Sequence, residues 1–101
     1  MGQRIPGVAQ PDMIALWKAF AQKTFKSTRF KVTFNGKTRN VLTDGKLLYV
    51  LDEWHGDLEV LDAGGTHLGT IPIDAVKKSD GGFDLKLGPL KSGGKHRYKL
   101  N

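Results

Sequence analysis

Apolar positions recur along the chain with two different periods. Between Asp12 and about residue 25, Met13, Ile14, Trp17, Phe20 and Ala21 fall on one side of a 3.6-residue repeat. That spacing predicts an amphipathic helix with Asp12 as its cap. From Arg29 onward the period drops to two: Phe30, Val32 and Phe34 alternate with Arg29, Lys31 and Thr33. Asn35-Gly36 is the strongest hairpin signal in the chain, and residues 37–42 return from it. A second turn at Thr43-Asp44-Gly45-Lys46 leads into two apolar runs, 47–51 and 58–61. Ala63-Gly64-Gly65 turns into a strand over 66–73, with Pro72 expected near a strand end or at an edge. Residues 74–79 read as a loop or short helical turn, 82–87 as a further short strand, and 95–100 as a candidate last one. The expected fold is α+β: an N-terminal helix packed on a highly twisted antiparallel sheet of about five to six strands. One domain covers residues 1–101, with 1–10 as a loose lead-in.

The two central runs flank Asp52-Glu53-Trp54-His55. A tight hairpin would turn at Glu53-Trp54 and be closed by Asp52 and His55, although a longer turn suits these residues as well. Strand alternation then gathers Asp52, His55, Asp57 and Glu59 on one face, with Leu47, Tyr49, Leu51, Leu58 and Val60 on the other. The apolar side is expected to be core and the charged side open. Neighbouring like charges destabilise a sheet, but clustered carboxylates raise one another's pKa, and a histidine beside them titrates near neutrality. The pattern suits acid–base chemistry; a solvated acidic strand that carries a histidine is the plainer alternative.

Composition adds little: 39% hydrophobic and 26% charged residues describe an ordinary globular domain. With no cysteine, disulfides and thiolate chemistry are excluded. No apolar run approaches the roughly 20 residues of a membrane span, and no signal peptide is recognisable. Met1-Gly2-Gln3 reads as an expression start, which suits an excised C-terminal domain. The distribution of the net charge of +6 says more. Residues 1–46 hold nine Lys or Arg against two acids, residues 47–76 none against six, and residues 77–101 seven against two. Basic arms around an acidic centre suit an enzyme that acts on a polyanion.

Asp52, His55, Gly56, Asp57, Leu58 and Glu59 resemble the D-x-x-H-G-E-L-E signature of the ribosome-cleaving ribonuclease colicins and cloacin, a domain type also found in contact-dependent inhibition systems. Asp44-Gly45-Lys46 and Tyr49 stand where that family has a basic turn and a tyrosine. Gly65-Thr66-His67-Leu68-Gly69 is similar to the family's D-G-x-H-L-G. The likeness covers roughly residues 44 to 70 and fades outside them.

The resemblance implies a toxin endoribonuclease that needs no metal or cofactor. It would cleave small-subunit (16S) ribosomal RNA at the decoding centre, leave a 2′,3′-cyclic phosphate and stop translation in competitor bacteria. Glu59 takes the place of the general base, His55 of the general acid, and Asp52 of the carboxylate that orients the histidine. Asp57 replaces a family glutamate. The family's catalytic arginine falls in the tail Lys95-His96-Arg97-Tyr98-Lys99, where Arg97 is the choice because a guanidinium grips phosphate with two donors; Lys95 and His96 are alternatives. Asp57, Trp54, Lys46, Lys95 and His96 are the expected substrate contacts, with Trp54 either stacking a base or closing the turn. His67 reads as a strand histidine fixed by a backbone hydrogen bond rather than a catalytic one, and Tyr49 as core. The implied partners are the ribosome as substrate and an acidic immunity protein as inhibitor. The implied setting is delivery on a larger toxin and action in the target-cell cytoplasm. A non-catalytic basic RNA-binding module is the rival reading, though such a module has no use for carboxylates beside its histidine. Metal sites fare poorly, since no His-x₃-His or cysteine pair exists.

Overall fold

The computed structural model describes residues 10–34, 36–53 and 55–101, with the backbone alone at Gln10 and Phe34. The expectations for residues 1–9, for Asn35, for the Phe34 side chain and for Trp54 lie outside the described residues. Among the described residues, one helix, α1 (Gln10–Thr24), precedes seven antiparallel strands: β1 (Lys26–Phe34), β2 (Lys37–Thr43), β3 (Leu48–Asp52), β4 (Asp57–Leu61), β5 (His67–Lys77), β6 (Phe83–Leu87) and β7 (Lys91–Ser92). Strands β1 to β6 lie side by side in chain order, and β7 also pairs with β5. The fold is α+β, and the sheet does not close into a barrel.

The helix begins before Asp12, which therefore sits in the first turn rather than at the cap. There its carboxylate complements the partial positive charge of the helix start. Met13, Trp17 and Ala21, spaced by four, are buried with Phe25 against Leu42, Tyr49, Leu58, Val60 and Ile73. This is the first core, on what we term the helix face.

Register places a second core on the opposite face. Leu48 opposes Leu61, Val50 opposes Glu59 and Asp52 opposes Asp57, so all six side chains share one side. Val32, Val41, Leu48, Val50 and Leu61 are buried there, covered by Phe30, Tyr98 and Leu100. The expected open face is thus a packed one. Its cover is the C-terminal tail. Thr66 pairs with Arg97, and Tyr98 N–H donates to Gly65 O at 2.8 Å. Asn101 then exchanges both backbone hydrogen bonds with Lys31 of β1, at 2.8 and 3.0 Å. The tail leaves the edge of β5 and reaches β1, crossing over what we term the tail face.

Two other expectations are corrected. Residues 74–77 continue β5 instead of forming a loop, because β6 pairs with them from Ile73↔Leu87 to Lys77↔Phe83. Pro72, which cannot donate, marks the change of partner: it is the last β5 residue paired with β4, and Ile73 the first paired with β6. Residues 95–100 contribute a single bridge and no regular strand.

Candidate active site

The β3–β4 connection is the longer of the two turns the sequence allows. Its closing pair is Asp52↔Asp57, and Gly56 N–H donates to Asp52 O at 2.9 Å. Gly56 has φ of 66°, and a Cβ at this position would overlap the Trp17 ring. Glycine is therefore required twice over, for conformation and for contact. The turn consequently sits on the helix through Trp17, whose indole Nε1 is buried without a hydrogen-bond partner among the described residues.

His55 belongs to this turn rather than to a strand. Its Nδ1 lies 2.8 Å from Asp52 Oδ2. The carboxylate only accepts, so Nδ1 carries a proton and the ring is oriented with Nε2 outward. Asp52 is 3% exposed, whereas half of the His55 side chain meets solvent. The hydrogen bond and charge of Asp52, with a smaller contribution from Asp57, hold the His55 pKa above its ordinary value.

A second couple lies across the sheet. Opposite Leu61 on β5 stands His67, 6% exposed. Its Nδ1 donates to Gly94 O at 2.8 Å, and its Nε2 faces Glu59 Oε2 at 2.8 Å. With an acceptor at each nitrogen, the ring is an imidazolium paired with a carboxylate. Burial pulls the His67 pKa down, but the Gly94 carbonyl, the Glu59 carboxylate and the Gly69 backbone together outweigh it, and the net shift is upward. His96 stacks on His67 with centroids 4.8 Å apart, and Tyr98 closes edge-on at 6.1 Å. Burial, with the negative charges of Glu59 and Asp52, raises the Tyr98 pKa.

Asp57 lies between the couples. It is 5% exposed, and burial, reinforced by Asp52 and Glu59, pushes its carboxyl from 3.8 up to about 6. The carboxylates share the tail face as alternation requires, but they are buried and not open. No hydrogen bond joins His55 to Glu59 among the described residues. Each is anchored by its own partner instead.

The tail residues divide. His96 and Tyr98 face His67. Arg97 points the other way, with a guanidinium nitrogen 3.7 Å from where a Gly64 side chain would begin. Lys95 is exposed beside Gly94. Lys46 lies in the turn before β3, about six residues or ~20 Å along the strand from Asp52. A different cation shares a row with Glu59: Glu59 opposes Thr70, and Thr70 opposes exposed Lys91 on β7, two strands over on the same face. Lys91 and Tyr98 carry no sequence signal as site residues, because the pairing of a two-residue edge strand and a bridged tail follows only from the folded register. His67 had a signal, a histidine in a strand beside an acidic one, and the hydrogen bond expected for it is present along with the ion pair.

Among the described residues, no three His, Cys, Asp or Glu side chains gather as metal ligands, and no helix is long and apolar enough to cross a membrane. Comparison with protein-family models, with curated proteins and with solved structures finds no match.

Proposed function

We propose that this domain is a toxin endoribonuclease, metal-independent and similar in action to the ribonuclease colicins. Its target is 16S ribosomal RNA at the decoding centre, and an acidic immunity protein restrains it in the producing cell. The supporting observation is the pair of histidine–carboxylate couples, Asp52–His55 and Glu59–His67, on either side of a carboxyl group whose pKa is pushed up to about 6. RNA cleavage by its own 2′-hydroxyl needs a base for that proton, an acid for the leaving 5′-oxygen, and positive charge near the phosphorane.

Glu59 serves as base, held in place by His67, which acts as a positioning residue because both its nitrogens are already engaged. His55 serves as acid: Asp52 fixes the protonated Nδ1, keeps the ring charged to higher pH, and leaves Nε2 facing solvent. Lys91, two strands over from Glu59 in the same row of the sheet, serves as the cation for the phosphorane, while the Arg97 guanidinium stands beside Gly64. The exposed rim of basic residues docks the polyanion, and steering by that charge also speeds capture by an acidic inhibitor.

The test is to expose intact 70S ribosomes briefly to the domain, with EDTA controls on a short RNA, and to map new 5′ ends. One dominant cut near the 3′ end of the small-subunit RNA, unaffected by EDTA on the short substrate, is expected. Cuts scattered through both subunits would remove the ribosomal target and leave a ribonuclease. Binding without any cut would make the domain a non-catalytic RNA-binding module.

A further inference from the structure

Beside the helix, a cleft of about 580 Å³ opens between α1 and strands β1 to β3. Lys18 and Gln22 of the helix form one wall, and Lys37, Arg39 and Asn40 of β2 the other. Glu53 stands at its end. A single oxygen, Glu53 Oε1, lies 3.2 Å from Lys18 Nζ and 3.7 Å from Arg39 Nη1. Arg39 is largely buried, and its Nη1 also donates to Leu51 O at 3.4 Å, so the guanidinium is fixed before any ligand arrives.

We infer that this cleft is a second contact for the RNA strand, in which a backbone phosphate displaces the Glu53 carboxylate from Lys18 and Arg39. The ribonuclease reading supplies the identity of the polyanion; the cleft supplies the geometry. Glu53 now occupies the place where an anionic oxygen is stabilised by two cations. A phosphate there keeps both contacts and brings further oxygens toward Lys37 and the amides of Gln22 and Asn40. Three cations against one carboxylate leave the cleft positive, and its concave, polar lining suits a nucleotide better than a flat protein surface.

The position of Glu53 gives the site a second consequence. It lies in the same turn as His55, two residues away, and directly follows Asp52, the last residue of β3. Releasing Glu53 from its cations frees one side of that turn, while the Asp52–His55 hydrogen bond holds the other. Occupation of the cleft and placement of the acid are thereby connected through one short turn.

The experiment measures binding of a short, 2′-O-methylated oligouridine, which cannot be cleaved, alongside cleavage of the unmodified strand. Lys18 and Lys37 are exposed, so the double variant Lys18→Gln/Lys37→Gln keeps the fold. It should bind the methylated strand at least tenfold more weakly at low salt, and its log–log salt slope should be shallower by about 1.4, two single-strand contacts' worth. Glu53→Gln removes the internal competitor and should bind several-fold more tightly. Unchanged affinity in the double variant, with wild-type cleavage intact, overturns the cleft and leaves the ribonuclease standing. The expected loss in a protein that cleaves nothing upholds the cleft and removes the ribonuclease. Polyglutamate competing as well as RNA of equal charge would assign the cleft to an acidic protein and overturn the inference.

Discussion

His67 and Glu59 form a closed ion pair: Nε2 and Oε2 are 2.8 Å apart, and the opposite ring nitrogen is committed to Gly94 O. Neither side chain has much solvent to fall back on, with 7% and 12% of their surfaces exposed. Removing one partner leaves the other as a poorly hydrated charge, which typically costs about 3–5 kcal/mol.

His67→Ala should therefore lose about 3 kcal/mol of stability and most of its cleavage together. Glu59→Gln keeps a hydrogen-bonding group of the same shape and should fold while failing to cleave. Denaturant titration beside a cleavage assay checks both. An active Glu59→Gln would end the assignment of Glu59 as base. Glu59→Ala is a poorer probe than the alternation pattern implies, because the residue is covered.

His55→Ala should behave differently. The ring is half exposed and held only from its own turn. Cleavage should vanish, with a loss of stability below that of His67→Ala, because the ring is half exposed although its partner Asp52 is covered. A large loss of stability would show that His55 holds the turn rather than the proton.

Stability should be greatest on the acid side of neutrality. Asp57 is raised from 3.8 to about 6, so the unfolded state ionises more readily, and stability falls as pH rises through that interval. His55 and His67 are raised above 6.5; their contribution is complete below that value and lost as pH climbs through the folded values. Asp44, lowered from 3.8 to about 2 by the Leu47 amide, Tyr49 hydroxyl and Lys46 amide, contributes stability above 3.8 that disappears as pH falls toward 2. Thermal unfolding should thus occur at higher temperature at about pH 5 than at about pH 8, with a decline again in strong acid. A flat profile between these values would contradict the burial of Asp57.

Gly56→Ala should be among the most harmful single-methyl additions in the chain. The new Cβ meets the Trp17 ring at a left-handed φ, and the combined strain and overpacking amount to about 2–4 kcal/mol. Urea unfolding reads this directly. Since the turn also carries His55, cleavage by the folded fraction should fall too. Gly36→Ala, also at positive φ but with nothing within 4 Å among the described residues, should cost no more than about 1–2 kcal/mol.

The helix and the helix-facing side of the strands up to β4 were legible because the positions buried there follow a single period. Met13, Trp17 and Ala21 repeat by four, and Tyr49, Leu58 and Val60 alternate into the helix face. The second core was hidden by the same alternation. Val50 and Leu61 share their side with Asp52, Asp57 and Glu59, so a strand buried on both faces reads as one with a charged, open side. What covers it is a tail whose pairing partners, Gly65 and Lys31, lie far away in sequence. Local pattern carries no information about such contacts. Arg97 illustrates the cost. Its chemistry suits a phosphate, but its bridge to Thr66 turns it away from His67 and brings His96 and Tyr98 in its place.

The tail sets an order of events. Asn101 binds Lys31, and Gly94 binds His67, so the segment that completes the site is also the last to be synthesised of the residues that build it. Loop closure over so long a separation is slow and comes after local hairpins have formed. A chain still emerging from a ribosome thus holds Glu59 without its fixed counter-ion and the second core without its lid. Until that strap is laid down, the domain has neither its second core covered nor its buried histidine–carboxylate pair closed.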